Sequence, residues 1–298
     1  MNDVEGLATH RRTIERLIGL LDAIRSVAEI AWRRAEQSFQ PLTVYRAHLQ
    51  NLFPPALDAL TPEQRDLILH GDKGGRSIGV LFISSERGLC GPFNNRLVTQ
   101  GLQRIRALVG QDQTIKFLCL GGRGKRLLEA AGHSLLYGKP LPSLAIPSYV
   151  DIEGVALDLL ELVERGALSR LVVVHNAPVH RFQYGVTLRD LLPPAIAAPQ
   201  RRHKPKRIAV KPAQDAPTLV THLLTEYLLV ELYQAVIESA ISEQLARIYT
   251  MRLATENANK LLEKFTLEYN LARSQAVTQE LLEIVAGYEA TNKKKPKS

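Results

Sequence analysis

The strongest constraint on the fold of this chain is the spacing of apolar residues near its two ends. Across residues 14–52, apolar or small side chains recur at steps of three or four, and the same spacing returns across residues 241–276. A stripe of that period follows one side of a helix and is typical of a coiled-coil seam. The two stripes therefore predict two long helices that can pair with each other.

The predicted seam draws on both ends of the chain. Its residues are Ile14, Leu17, Leu21, Ile24, Ala28, Ala31 and Ala35 in the first helix, and Ile241, Leu245, Ile248, Leu262, Phe265, Tyr269 and Ala272 in the last. Arg252 also falls on the second stripe, where the neighbouring Met251 can take its place. At ~1.5 Å per residue, the last helix would be about 110 Å long and the first about 70 Å.

Both helices leave one middle domain, one entering it and one departing, so they can pair antiparallel. A compact helical bundle folded over the sheet is the alternative. Proline lacks the N–H that a helix interior needs. We therefore expect Pro41 to kink or interrupt the first helix, and Pro54 and Pro55 to end it.

The middle of the chain has a different texture. Short β-branched, apolar runs at residues 78–84, 114–120 and 170–176 alternate with segments of helical pattern, which predicts a sheet covered on both faces. The fold class is thus α/β: a long antiparallel coiled coil plus a Rossmann-like three-layer domain. The predicted segments are an N-terminal coiled-coil helix (1–58), an α/β domain (59–212), a C-terminal coiled-coil helix (213–290) and a basic disordered tail (291–298).

The charge balance of the chain suggests an acidic partner. Among 298 residues the formal net charge is +8, and basic runs occur at residues 201–207 and 293–297. Neither run is interleaved with the aromatic residues that stack on bases. A basic coiled-coil scaffold that binds nucleic acid or another acidic partner remains the alternative function. No apolar run reaches the ~18–20 residues of a membrane span, and no secretory signal opens the chain, so we expect a soluble, intracellular protein.

Residue patterns that would carry catalysis are weak in this sequence. The segment LGGRGKR (120–126) lacks the first glycine and the hydroxyl of a phosphate loop, so a tight strand-to-helix turn is the better interpretation. The histidines form no metal-binding pair, and Cys90 and Cys119 are the only cysteines. We expect no catalytic residue, metal or cofactor. An enzyme that uses the α/β domain is a third hypothesis, which a thermal shift with ATP or NAD would support.

Two segments carry the most specific patterns. The first is SSERGLCGPFNNRL (84–97), which follows a buried strand, and the second spans residues 242–287 with SEQLARIYTMRLATENA, YNLAR and TQELLEIVAG. Together they resemble the gamma subunit of F-type ATP synthases, and the layout of the whole chain is similar to that family. The motif residues of the first segment are Arg87, Gly88, Leu89, Cys90, Gly91 and Asn94.

The resemblance implies a rotary shaft that performs no chemistry. In that family the coiled coil stands inside a ring of alpha and beta subunits, and the α/β domain meets the epsilon subunit and the c-ring of the membrane sector. Ion flow turns the rotor and drives ATP synthesis. The implied location is the cytoplasmic face of the cell membrane, as a peripheral protein without direct insertion. The implied ring contacts are Arg33, Arg34, Arg273, Val277, Thr278, Gln279 and Glu280.

The chain departs from the family pattern at three places, one of which is Ser274, where the family tends to have glutamine. Asp22 stands where the first helix of the family has a basic residue, and residues 207–212 replace an acidic, aromatic stretch that belongs to the foot of the shaft. The reversed charge puts the usual contacts with epsilon and the c-ring in doubt. These departures suggest a divergent member, from a second or alternate ATPase with its own matched subunits.

Overall fold

The computed structural model describes residues 2–58, 60–70, 76–110, 112–142, 146–180, 183–194 and 216–292. The helices are α1 (Asn2–Leu57), α2 (Pro62–His70), α3 (Phe93–Leu108), α4 (Gly122–Ala130), α5 (Tyr149–Glu164) and α6 (Ala216–Asn292). The strands are β1 (Ser77–Ile83), β2 (Thr114–Leu120), β3 (Leu135–Lys139), β4 (Arg170–His180) and β5 (Gln183–Leu192). The predicted fold class is confirmed. Both basic runs, the foot stretch 207–212 and residues 293–298 of the predicted tail lie outside the described residues, while residues 291–292 of that tail belong to α6.

The chain divides into two compact units, and each contains part of both long helices. Unit 1 comprises residues 1–27 and 249–298, and unit 2 comprises residues 28–248. Unit 1 therefore joins the beginning of α1 to the end of α6. Unit 2 contains the rest of these helices and the whole sheet.

The sheet of unit 2 has five strands in the order β3-β2-β1-β4-β5. Strand β1 is parallel to both β2 and β4, β2 is parallel to β3, and only β5 runs antiparallel to its neighbour. The three predicted runs are the three central strands. The two edge strands were not predicted from the sequence.

Helices cover both faces of the sheet, which gives three layers. On one face, Leu81 and Leu118 pack with Leu159 of α5 and Leu232 of α6. On the other, Val80 and Phe82 pack with residues of α3 and α4. The central strands are apolar along their length because both of their faces are buried.

The two long helices pack against each other in both units. In unit 2, α1 buries Ala28, Ala35, Leu42 and Leu49, one every seven residues. Ala35, Leu42 and Leu49 lie in one cluster with Tyr227, Val230 and Ile237 of α6. In unit 1, Leu21 packs with Met251 and Ala258. The pairing is antiparallel in each unit, because residues later in α1 meet residues earlier in α6.

The second line of packed residues on α1 differs from the predicted one at Leu17. The side chain of Leu17 is 47% exposed, whereas Ile18 packs against the cluster of Leu21 and Met251. The larger side chains that share this line with Ile18 are Trp32, Phe39 and Phe53, each four residues after a seam position. Side chains four residues after a seam position pack against α6. Leu17, three residues after Ile14, faces solvent instead. Ile24 and Ala31 are half-buried.

Prolines neither interrupt nor end α1. The helix passes through Pro41, Pro54 and Pro55 and ends at Leu57. Pro41 faces solvent, while Phe39 and Leu42 on either side of it pack against α6. Tertiary packing therefore holds the helix across the missing hydrogen bond.

Candidate functional site

The turn that follows β1 contains the first motif, and buried side chains hold its shape. Asn94, at the start of α3, points back into the turn. Its Oδ1 accepts a hydrogen bond from the Ser85 backbone N–H (3.0 Å), and its Nδ2 donates to Ser85 Oγ (2.8 Å). Ser85 Oγ in turn donates to the Arg87 carbonyl oxygen (2.6 Å). Asn94 and Ser85 together close the turn from within.

The tip of this turn presents an apolar side chain to solvent. Leu89 has φ 63° and is 59% exposed, and Gly91, two residues later, has φ 55°. The left-handed region costs a residue with a side chain roughly 1–2 kcal/mol. Between them, Cys90 is buried. Strained positions of this kind concentrate at functional sites.

A carboxylate of the protein occupies the place where a phosphate loop would hold an anion. Glu86 Oε2 accepts hydrogen bonds from the Gly122 N–H at the start of α4 (2.9 Å) and from the Leu141 N–H (3.2 Å). Gly121 has φ +92°, and a Cβ there would lie 2.3 Å from the Ser84 carbonyl oxygen. Glycine is thus needed for close packing of two turns. The segment after β2 is the predicted strand-to-helix turn, with its anion position filled by Glu86.

The motif turn is fastened to α6. Arg247 Nη2 donates to the Gly88 carbonyl oxygen (3.3 Å), and Ala246 packs against Cys90 and Phe93. One turn earlier in α6, Ser242 Oγ donates to the Asn176 carbonyl oxygen of β4 (3.1 Å). The two specific sequence motifs therefore meet within unit 2.

Neither cysteine is an activated nucleophile. Burial raises the pKa of the Cys90 thiol, although the hydrogen bond with Ser85 lowers it in part. Burial likewise raises the pKa of Cys119 to about 12, against the smaller lowering effect of Ser84. A thiol is reactive as the thiolate, which these surroundings disfavour.

A buried charged cluster joins α6 to α1 and to the strands β4 and β5. Glu238 Oε2 lies 2.6 Å from His175 Nε2 and 3.0 Å from Arg189 Nη2. Arg189 Nη1 also lies 3.4 Å from Glu231 Oε2, and Arg46 Nε contacts the other carboxylate oxygen of Glu231. This cluster was not predicted from the sequence. Its only signal was a row of polar residues within the apolar stretch 227–241.

The protonation states of this cluster follow from its burial and its arginine. Burial opposes the charge of Glu238, but the hydrogen bond from His175 and the charge of Arg189 outweigh it and lower the pKa of Glu238 to about 2. Burial lowers the pKa of His175, and the bond to Glu238 offsets only part of that effect. The cluster therefore holds an ionised glutamate beside a neutral histidine that donates through Nε2.

Among the described residues, unit 1 contains only the beginning of α1 and the end of α6, which pack against each other. The His10 and Phe265 rings stack with centroids 5.5 Å apart, and the Arg11 guanidinium lies 5.1 Å above the Tyr269 ring. Met251 is buried, and Arg252 is exposed, as predicted. Of the other predicted seam residues, Ile241 is buried, and Ile14, Leu245, Ile248, Leu262, Phe265, Tyr269 and Ala272 are half-buried.

The end of α6 is uncovered. Every side chain from Val277 to Tyr288 is exposed, and the large apolar ones are Val277, Leu281, Leu282, Ile284, Val285 and Tyr288. Gln279 Nε2 donates to Glu283 Oε1 (2.9 Å), and Thr278 Oγ1 donates to the Ser274 carbonyl oxygen (2.9 Å). These polar contacts stay within the helix and leave its surface open to a partner.

The predicted ring contacts are surface residues of both units. Arg33 and Arg34 are exposed in unit 2, and Arg33 Nη2 lies 3.9 Å from Glu29 Oε2. Arg273, Val277, Thr278, Gln279 and Glu280 are exposed in unit 1. Within the described part of the chain, no three His, Cys, Asp or Glu side chains form a metal-binding group. The described helices also include none with enough apolar length to cross a bilayer.

A family model described as ATP synthase matches residues 5–291. This chain belongs to the ATP synthase gamma-chain family. Its relatives include the ATP synthase gamma chain of Fuscovulum blasticum, which is 28% identical over 97% of this chain and 100% of that relative. The gamma chain of Paraburkholderia phymatum is 26% identical over 94% of this chain and 96% of its own length.

Solved structures of the family share the fold. A chain of the Euglena gracilis mitochondrial ATP synthase, from the OSCP/F1/c-ring assembly in rotational state 3, superposes with a TM-score of 0.65 at 18% identity, covering 100% of this chain and 98% of that one. A chain of the central stalk and c-ring of the Tetrahymena thermophila mitochondrial enzyme gives a TM-score of 0.57 at 18% identity, covering 79% of this chain and 99% of that one.

Proposed function

We propose that this chain is the central-stalk rotor subunit of an F-type ATP synthase. In this role it couples ion movement through the c-ring to ATP synthesis or hydrolysis in a ring of alpha and beta subunits. It makes no covalent contribution to either reaction. Family membership supports the class of complex, and the uncovered apolar end of α6 is the observation that carries the mechanical role.

The exposed apolar surface between Val277 and Tyr288, here named the bearing, is suited to contact with a surrounding ring. Its large apolar side chains between Val277 and Tyr288 occupy about 160° of the helix circumference, at ~100° per residue. An exposed apolar surface of this kind marks a contact with another protein. Apolar contact is non-directional, so such a surface can be held by a ring without favouring one angle strongly.

Exposed arginines supply a second, weaker attraction. Arg33, Arg34 and Arg273 face solvent and are available to acidic loops of the surrounding subunits. Exposed charge pairs contribute only ~0–1 kcal/mol each, so their attraction varies gently as the shaft turns. The polar residues Thr278, Gln279 and Glu280 lie between Val277 and Leu281 and would contact the ring at particular angles.

The α/β domain is proposed to form the foot of the rotor, with epsilon and the c-ring as partners. The complex would then hold the chain as a peripheral protein on the cytoplasmic face of the cell membrane. The filled anion position at Glu86 and the buried thiols support a part that binds other proteins and does no chemistry.

Co-expression with the cognate alpha and beta subunits tests this function. We expect one copy of the chain per alpha–beta hexamer, measured by native mass spectrometry. The double variant Leu281→Glu, Ile284→Glu should weaken ring binding at least about tenfold, because it puts charge on the bearing. Val150→Glu, a matched change at an exposed residue of α5, should bind as the wild type does. Failure to form any complex with the hexamer would overturn the proposal.

The net charge supports a second candidate, a scaffold that binds nucleic acid. It predicts an affinity for duplex DNA that falls steeply between about 50 and 200 mM salt. Absence of DNA binding at the lower salt concentration removes this candidate. Binding to DNA without binding to the hexamer would favour it over the rotor.

A further inference from the structure

Between Tyr227 and Ser239, α6 is buried on every side. From Tyr227 to Ser239 each residue except Tyr233 is buried. Leu228, Leu232 and Val236 pack with the sheet and α5, and on the other side Val230 and Ile237 pack with α1. A helix with apolar residues all round has no amphipathic preference, and apolar contact is non-directional. Hydrophobic burial alone therefore leaves the rotation of α6 about its own axis poorly specified.

Besides Ser239, whose Oγ donates to the Ile83 carbonyl oxygen (3.3 Å), three polar side chains interrupt this apolar surface, and these three lie along one narrow line. Glu231, Gln234 and Glu238, here named the polar stripe, fall within an arc of about 60° at ~100° per residue. Glu231 and Glu238 are 0% and 5% exposed. Gln234 Nε2 donates to Glu238 Oε1 (2.8 Å), and Arg189 bridges Glu238 and Glu231.

Partners of the polar stripe come from three other elements of unit 2. Arg46 of α1 contacts Glu231, Arg189 of β5 contacts both glutamates, and His175 of β4 contacts Glu238. The two oxygens of Glu238 lie 3.1 and 3.0 Å from Arg189 Nη2. Such bonds are directional, so they form at one rotation and one axial position of the helix.

Any other setting of α6 would leave buried charges without partners. A rotation by one residue would turn both carboxylates about 100° away from the arginines, and a slide by one helical turn would move each carboxylate about 5.4 Å along the axis from its present partners. Removing one partner of a buried ion pair is strongly destabilising, whereas replacing the whole pair with apolar groups is often neutral. The polar stripe thus acts mainly by excluding alternatives, and contributes little to net stability.

We propose that Glu231 and Glu238 are positioning residues that set the rotational register of α6 against α1 and the sheet. The importance of this register for torque rests on the rotor function proposed above. A shaft helix that could rotate or slide against the rest of unit 2 would transmit rotation poorly. The register itself is a property of the isolated chain and does not depend on that function.

Electron–electron double resonance on the isolated full-length chain tests the register. Spin labels at His222→Cys on α6 and Leu157→Cys on α5 report on two exposed positions of unit 2, while the buried Cys90 and Cys119 stay unlabelled. We expect one narrow distance. In an Arg189→Met, Glu238→Met background we expect a broadened or double distribution, with a shift of up to about 5.4 Å for a slide of one turn.

A cavity-forming variant separates register from stability. Leu232→Ala removes buried apolar volume from the same helix and should lower the unfolding midpoint while it keeps the single distance. An unchanged narrow distance in a folded Arg189→Met, Glu238→Met chain would overturn the proposal. If that pair fails to fold, Glu238→Gln is measured at pH 7 in its place, where a broader distribution supports the proposal and an unchanged one refutes it. Failure of the chain to bind the hexamer would leave this result intact, so the two proposals fail separately.

Discussion

Leu89 holds a left-handed backbone conformation (φ 63°) while 59% of its side chain faces solvent. The turn around it is closed by Ser85 and Asn94 and fastened to Arg247, so the surroundings impose this conformation. Glycine enters this region without the steric cost of a Cβ. Because most of the Leu89 side chain is exposed, the isolated chain gains little packing from it in return for the strained backbone.

Two substitutions at Leu89 separate the free-energy cost of its left-handed backbone from the contribution of its side chain. We expect Leu89→Gly to be more stable than Leu89→Ala by about 1 kcal/mol, because both lose the side chain and only alanine keeps the strain. Urea unfolding of the two variants measures the difference. At an ordinary helical position glycine is the less stable of the two, so equal stability, or a more stable alanine variant, would contradict the strain.

The buried cluster makes stability depend on pH through two groups. The pKa of Glu238 falls from 4.5 to about 2 on folding, so its contribution is complete above pH 4.5 and is lost as the pH falls towards 2. Burial lowers the pKa of His175 below 6.5, so the unfolded chain binds a proton first and stability declines as the pH falls below 6.5.

These two effects predict a free energy of unfolding that rises from pH 2 to pH 7. His175→Gln should be less stable than the wild type at pH 7, but its stability should change less between pH 6.5 and 5, because the titrating group is gone. Urea titrations across this range measure both slopes. A variant slope equal to that of the wild type would show that His175 does not titrate on unfolding.

Among the elements, α1 is stabilised by packing against α6 more than by the helix propensity of its own residues. Pro41 sits in the interior of a helix that continues for sixteen residues beyond it, from Leu42 to Leu57. The N–H that proline lacks would have bonded to Gln37, four residues earlier. Phe39, Leu42 and Leu49 pack against α6 on both sides of this gap, so packing compensates for the loss.

Pro41→Ala should therefore stabilise the chain. The change adds one backbone hydrogen bond and removes a poor helix former at an exposed position, for a gain of about 1–3 kcal/mol. Gln40→Ala, at the exposed neighbouring residue, changes helix propensity without adding a bond and should gain only a few tenths of a kcal/mol. Thermal and urea unfolding compare the two, and a Pro41→Ala chain that is no more stable than the control would contradict the account.

The accuracy of sequence-based prediction differs between elements for physical reasons. The long helices and β1, β2 and β4 were predicted because burial on one stripe or on both faces leaves a periodic or continuous apolar pattern. Strands β3 and β5 lie at the two edges of the sheet, where less complete burial allows glycine and polar residues such as Lys139, Arg189 and Asp190 to break that pattern. The polar stripe on α6 was not predicted because its partners, Arg46, His175 and Arg189, are far away in sequence.

At the scale of the whole molecule, burial is divided unevenly between the two units. Among the described residues of unit 1, only Leu21, Met251 and Ala258 are buried, whereas unit 2 contains the three-layer core around the sheet. Local stability follows buried contact, so proteins open first where few apolar side chains are covered. The helix pair of unit 1 is therefore the part of the isolated chain that most needs a partner.

Hydrogen exchange tests this division and the proposed partner together. In the isolated chain, amides of residues 255–288 should exchange at least about tenfold faster than those of residues 228–242, because the former lie on a thin helix pair and the latter in a packed core. Binding to the alpha–beta hexamer should slow exchange in the first segment, since a ligand that binds only the folded state opposes local opening. Amides of α5 serve as the internal control and should keep their rates. Uniform exchange along α6 in the free chain would contradict the unequal burial of the two units. Protection of α5 in place of residues 255–288 would show that the ring contacts the α/β domain and not the bearing.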